Sequence, residues 1–331
     1  MFFESLPVPP PSSFEGRTYV VTGANTGLGY ECAKHLVRHA SRVILAVRSQ
    51  ARGDVAKDNI EAETGRTGVA EVWLLDLASY DSVKAFATRV CTELDRLDGV
   101  VENASVALGE WSTAEGMEST LTVNVISNFL LAILLLPKLK ADAVKFGIQP
   151  HLAVVGSSAG FMATDGFLEN TPGDIFEYMN SEEVFKQNGI MARYSVSKLL
   201  QAYATRELAT LQPFSKTNVI INCLCPGLCI TELDRNGRLY FRARLWIQRR
   251  LFGRTAEMGS RTLLHAMTAD ATTHGRFLQN CEDHDQVPSW MTSAEGQSVQ
   301  KRVWTDIVTR LENIQTGCVQ TALGNGRGRS D

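Results

Sequence analysis

The chain has 331 residues, 44% hydrophobic and 21% charged, with 33 Lys plus Arg against 36 Asp plus Glu. That length allows one large domain or two small ones, with a core that needs no disulfide or metal. A net charge of −3 excludes a nucleic-acid footprint, and a mean hydropathy of −0.08 excludes membrane-embedded and disordered classes.

Residues 1–16 carry four Pro and no basic n-region, so they read as a Pro-rich arm rather than a signal peptide. The longest apolar run, 129–136, is far short of a bilayer span and predicts no transmembrane segment. Seven Cys without a C-x-x-C pair fit a reducing compartment, so the expected location is cytoplasmic. Cys223, Cys225 and Cys229 sit among apolar neighbours and read as small buried hydrophobes rather than zinc ligands.

In chain order, β-branched apolar runs predict strands at 18–22, 42–47, 69–75, 99–101, 152–155 and 219–224. Helices are predicted between them at 30–40, 54–64, 81–95, 117–145 (kinked at Pro137), 193–211 and 260–267. Strands apolar on both faces and alternating with helices predict an α/β fold, a doubly wound parallel sheet of Rossmann type in a single domain over 17–315. Outside that rhythm stand a polar insertion at 161–192, an Arg-rich segment at 235–254, and a C-terminal helix at 292–314 opened by a capping box of Thr292 and Glu295. The tail, 316–331, has little to bury and is expected to be loose.

The first strand runs into Thr22–Gly29, spelling TGANTGLG. Gly23 permits a tight turn, Gly27 lets backbone approach a pyrophosphate, and Gly29 allows close helix–strand packing, with Asn25, Thr26 and Leu28 between them. Such a turn alone is weak evidence. The second strand ends in Val47-Arg48, with Arg52 behind, where an NAD site would place a carboxylate. A guanidinium can bind a 2′-phosphate bidentately, which favours NADP(H); a solvated surface Arg48 is the alternative.

Tyr194 and Lys198 stand at i and i+4 on one predicted helix face. An ammonium nearby would lower the tyrosine pKa toward a useful general acid/base value. Alone the pair could be a surface feature. Gly156-Ser157-Ser158, however, ends a strand at the edge where α/β sheets bind ligands, and a hydroxyl there can steady a carbonyl oxygen. Asn124 follows the fourth strand, where its amide could hold a water, and Pro226-Gly227 with Thr231 follow the strand at 219–224.

Together these motifs resemble the short-chain dehydrogenase/reductase family over roughly Gly16 to Met267, and the insertion is similar to the retinol-dehydrogenase-like branch common among fungal metabolic enzymes. The resemblance implies a catalytic set of Asn124, Ser158, Tyr194 and Lys198, with Ser157 the lesser candidate. Tyr194 would exchange the proton, Lys198 would lower its pKa and hold the nicotinamide ribose, Ser158 would orient the substrate oxygen, and Asn124 would act through a water. It further implies cofactor contacts at Asp76 and Leu77 (adenine), Asn103 and Ala104, Pro226 and Gly227, and Thr231 (carboxamide). One departure stands out: Glu102-Asn103-Ala104-Ser105 replaces the family's Asn-Asn-Ala-Gly, which affects sheet stability and cofactor affinity.

The Arg-rich 235–254 segment lies where the family's substrate lid sits. Its seven Arg are read as stems snorkelling from a lid; a membrane-facing basic helix is the alternative. His274, Cys281, Glu282, Asp283, His284 and Asp285 read as a polar surface loop, and no metal is expected. The implied activity is NADP(H)-dependent interconversion of a carbonyl and an alcohol on a small hydrophobic metabolite, with a polyketide or terpenoid biosynthetic intermediate the expected substrate class. A retinoid-type membrane-associated oxidoreductase and a non-catalytic NADP sensor are the alternatives, and a homodimer is compatible with the resemblance.

Overall fold

The computed structural model describes residues 5–162, 167–233 and 248–324. β1 (Thr18–Thr22), β2 (Arg42–Val47), β3 (Ala70–Leu74), β4 (Gly99–Glu102), β7 (His151–Val155), β8 (Ile220–Cys225) and β9 (Phe277–Gln279) form one parallel sheet. Its order is β3-β2-β1-β4-β7-β8-β9, the doubly wound arrangement. β5 (Thr113–Ala114) and β6 (Met117–Glu118) make a separate antiparallel hairpin.

Alternation along the strands divides the core between the two sheet faces. On β1, Val20 joins Ile44 and Val100 on one face, while Tyr19 and Val21 join Leu45 and Val101 on the other. α1 (Gly27–His39) and α6 (Ala256–Ala266) pack against the second face. α3 (Tyr80–Glu93), α4 (Ser127–Phe146) and α5 (Glu182–Leu211) pack against the first, and α2 (Gln50–Thr64) flanks β2 and β3. Each fully buried Leu, Ile or Phe on α4 contributes about 1.5–3 kcal/mol by leaving water. Ser119–Phe146 is apolar and long enough to cross a membrane, but 94% of its apolar window is buried in the protein, which makes it a core helix.

Several expectations are corrected. The segment expected as one helix from 117 begins instead with the β5–β6 hairpin, whose turn holds Glu115 and Gly116 at φ +56° and +77°. The Glu118 carboxylate then caps the N–H groups of Thr120 and Leu121, a π-helical turn spans Thr122–Ile126, and α4 runs on through Pro137. α5 starts at Glu182, not 193, because Ser181 caps it by accepting the Val184 N–H. Within the insertion, Asp174 caps a short helix, Ile175–Met179. The strand β9 went unread.

At the C-terminus, α7 (Ala294–Ile314) is capped by Ser293, which accepts the Gly296 N–H at 3.1 Å, so Thr292 is not the cap. The tail is not loose through 324: α8 (Cys318–Leu323) buries Cys318, Val319 and Ala322, and Lys140 Nζ donates to the Ala322 carbonyl. α7 packs along α5, and α8 along α4. Arg310 makes paired hydrogen bonds to Asp174, and Arg302 donates to the carbonyls of Leu168, Thr171 and Gly173, so α7 ties down the insertion. The arm buries Leu6 and Phe14, and Arg261 donates to the Leu6 carbonyl. Residues 1–4, 235–247 (the larger part of the lid reading) and 325–331 lie outside the described residues.

Candidate active site

Strand order reverses between β1 and β4, and loops leaving the carboxyl ends of those strands and their neighbours enclose a cleft of about 1360 Å³. Along it lie Gly23, Asn25, Thr26, Gly27 and Leu28 after β1; Arg48 and Arg52 beyond β2; and Asp76 and Leu77 beyond β3. Asn103 and Ala104 follow β4, Ser157 and Ser158 follow β7, and Pro226, Gly227 and Thr231 follow β8. Tyr194 and Lys198 come in from α5. The topology thus gathers residues up to two hundred positions apart.

Gly23 has φ +67°, and a Cβ there would stand 3.1 Å from Ala104. Gly29, expected among the cofactor contacts, does not face the cleft. A Cβ on it would stand 2.5 Å from both Asn103 Nδ2 and the Gly23 carbonyl, so its role is close packing of α1 on the β4 loop. Asn103 fixes that loop by donating to the Thr22 carbonyl at 2.9 Å. Thr26 precedes α1 without a side-chain cap, leaving the first-turn N–H groups directed to the cleft end. Arg48 and Arg52 are exposed there.

These features fit a dinucleotide. Gly23, Gly27 and the helix end can cradle phosphates, Asp76 and Leu77 wall one base, and Lys198 and Tyr194 stand at the opposite end. Asp76 Oδ1 accepts the Ala78 N–H at 2.9 Å, which fixes the turn after β3.

The two serines, Ser158 expected to act and Ser157 the lesser candidate, both line the cleft and differ in what they touch. Ser157 lies within hydrogen-bonding reach of the Tyr194 phenol and accepts the Ala159 N–H at 3.2 Å. Ser158 instead turns its hydroxyl to the Cys225 thiol at 3.6 Å, and its N–H donates to the same sulfur. The reason is packing. A Cβ at Gly160 would stand 2.7 Å from the Leu199 nitrogen, so this glycine lies flat on α5 and sets the register of the turn. The serine three residues before Gly160, Ser157, is thereby the one that meets Tyr194.

Asn124 does not face the cleft either. Its Oδ1 accepts the Val106 N–H at 2.8 Å, and its Nδ2 donates to the Val106 carbonyl and to Ser197 Oγ. The amide oxygen and both amide N–H groups bond the chain, so Asn124 pins the β4 loop to α5. Its backbone carbonyl, in the π-helical turn, accepts from Asn128 Nδ2.

Burial dominates the site's electrostatics. It raises the Tyr194 phenol well above its usual value, against the lowering effects of the Ser157 hydrogen bond and the Arg249 charge. Burial pushes Lys198 down to about 8. The expected lowering of the tyrosine by the lysine is not what the structure shows. Lys198 Nζ, 5.7 Å from the Tyr194 ring centre, donates to the Val155 carbonyl and to Gln201 Oε1, each at 2.8 Å.

Cys223, Cys225 and Cys229 are buried free thiols, as read. The polar segment beyond α6 is more than a surface loop: His274 Nδ1 accepts the Ile221 N–H, and Asp285 accepts the Phe277 N–H while pairing with Arg206. These contacts clamp β9 onto the sheet. Glu102 is 1% exposed, with no partner for either carboxyl oxygen among the described residues, and burial raises its pKa well above the usual range. Sequence reading also missed Gln201 and Val106; the Lys-x-x-Gln spacing on one helix face was the available signal for Gln201.

A parallel doubly wound sheet with a phosphate-type turn at its switch point and a Ser–Tyr–Lys cluster beside it defines an α/β oxidoreductase architecture. The family model described as short chain dehydrogenase matches residues 17–168. The chain is 42% identical over 321 residues to the short chain dehydrogenase/reductase dmxR8 of Cryptosporiopsis, covering 95% of this chain and 96% of that one. It is 36% identical to the short-chain dehydrogenase anuD of Penicillium roqueforti, covering 94% and 81% respectively. A putative short chain dehydrogenase from Escherichia coli, solved with NADPH, shares the fold at TM-score 0.61 and 22% identity, covering 82% of this chain and 99% of that one. The protein belongs to the short-chain dehydrogenase/reductase family and is an oxidoreductase of that family.

Proposed function

We propose that the protein is an NADP(H)-dependent reductase that converts a ketone or aldehyde on a hydrophobic metabolite into the alcohol. The observation that carries this reading is the half-buried Tyr194 phenol beside Ser157 in a cleft whose far end presents Arg48 and Arg52. A nicotinamide cofactor, when bound, supplies the hydride. Ser157 donates a hydrogen bond to the carbonyl oxygen, Tyr194 delivers the proton to that oxygen as its charge develops, and Lys198 holds positive charge next to the phenol. Reduction as the working direction rests on the NADP(H) preference that the exposed Arg48 and Arg52 support.

The substrate end supports an apolar molecule: Val106, Leu108, Val123 and Leu228 line it, with Met162 and Phe252 exposed at the rim. Together with the fungal relatives this favours a specialised-metabolite intermediate. A sensor without turnover would not need Ser157, Tyr194 and Lys198 gathered at one point. α7 and α8 lie across α5 and α4, which favours a monomer over a homodimer through those helices; sedimentation at micromolar concentration tests this, and a stable dimer built on α4 and α5 would refute it.

Fluorescence titration with NADPH and NADH tests the cofactor. Arg48→Ala is expected to weaken NADPH binding about 10- to 100-fold, the worth of a charge-assisted phosphate contact, and to leave NADH binding unchanged. Tighter binding of NADH than NADPH by the unaltered protein would overturn the preference. For the serines, Ser157→Ala is expected to lower kcat/KM for carbonyl reduction about 100-fold, and Ser158→Ala only a few-fold. The reverse ranking would restore Ser158.

A further inference from the structure

We propose that Gln201 is a positioning residue of the proton-handling pair: its side-chain carbonyl, together with the Val155 backbone carbonyl, holds the Lys198 ammonium in place and keeps it charged. The proposal rests on the assignment of Tyr194 and Lys198 above. Lys198 is 2% exposed and Gln201 fully buried, three residues apart on α5. An ammonium can only donate, so the amide must present Oε1, which accepts at 2.8 Å. That leaves Gln201 Nε2 buried with no partner among the described residues. A leucine of similar volume would carry no such unpaired group, so packing does not account for a glutamine here.

The surroundings make this acceptor decisive. Of the elements packed on α5, β8 brings the thiols of Cys223 and Cys225 toward Lys198, and Tyr194 faces it from α5 itself. The π-helical turn contributes the neutral Asn124, while Glu118 is engaged with Arg193 and Glu207 with Gln300. No carboxylate among the described residues pairs with Lys198. Its charge is therefore supported by two neutral acceptors, one from the β7 backbone and one from a replaceable side chain. With two of its three N–H bonds so taken, the third is free to serve the cleft.

NADPH affinity measured from pH 6.5 to 9.5 tests the proposal without a known substrate, because Lys198 lines the cleft. For the unaltered protein, binding is expected to weaken above about pH 8, as Lys198 loses its proton. Gln201→Leu removes the acceptor and should move this limb down by about one pH unit, so that binding above the limb is about tenfold weaker. Gln201→Glu places a carboxylate beside the ammonium and should move the limb up by a similar amount. Binding at pH 6.5 should stay within about twofold for both.

A residue that only fills space would change melting temperature without moving the limb in opposite directions. Gln201→Asn, with the acceptor withdrawn by one methylene, covers the case in which Leu or Glu prevents folding; its limb should fall, by less than that of Leu. Limbs coincident with the unaltered protein's, or displaced the same way by Leu and Glu, would overturn the proposal. Failure of the unaltered protein to bind NADPH at any pH would instead overturn the reading of the cofactor site on which it rests.

Discussion

Tyr194→Phe is expected to reduce turnover of any accepted ketone or aldehyde by at least about 1,000-fold while leaving NADPH affinity within about twofold. The substitution removes one oxygen from a half-buried ring between Lys198 and Ser157, so the cleft keeps its shape. What is lost is the phenolic proton beside Ser157, where a carbonyl oxygen would be held. Positioning and electrostatics from Ser157 and Lys198 remain, so residual activity well above zero is expected in sensitive assays. Steady-state kinetics with a panel of hydrophobic ketones, paired with NADPH titration, gives both readouts. Unchanged turnover in Tyr194→Phe would remove the tyrosine from the reaction, and loss of NADPH binding would show that the phenol serves the cofactor instead.

Glu102→Gln should raise stability, and by more at higher pH. In the folded protein the Glu102 carboxyl is buried with no partner among the described residues, and burial raises its pKa well above the ordinary 4.5 of the unfolded chain. A folded pKa above the unfolded one means that the native state binds more protons across the interval between them. Stability contributed by this group therefore falls as pH rises above 4.5, by about 1.4 kcal/mol per pH unit, until the folded pKa is reached. The amide isostere abolishes that slope. Denaturant midpoints at pH 5.5, 6.5 and 7.5 should show the variant gaining on the unaltered protein by about 1.4 kcal/mol per pH unit until the folded pKa is reached. Parallel pH profiles would mean that Glu102 is solvated or paired in solution.

Glu102 also shows where sequence reading stops. The departure from Asn-Asn-Ala-Gly was visible in the chain, but its consequence depends on β7 and β1 enclosing that strand end, a matter of strand order. The sheet itself was legible because runs such as YVV within TYVVT and VILAV within RVILAV are apolar at successive positions, as a strand covered on both faces requires. The caps at Asp174, Ser181 and Ser293 were also present in the sequence. They went unread because Ser and Asp in polar segments signal loops as readily as helix starts.

By itself the sequence determined the parallel α/β fold, the phosphate-type turn, the Tyr194–Lys198 pair and the basic character of the residues after β2, because each is a local pattern of side chains along one or two elements. Only the tertiary structure decided which serine meets the tyrosine, that the Asn124 amide is used internally, and that Lys198 leans on Gln201. Those outcomes turn on which side chains come within about 3 Å of one another once the loops and α5 are packed together. The close approach of Gly160 to α5 set the serine register, and desolvation is the largest influence on the Tyr194 phenol, raising its pKa.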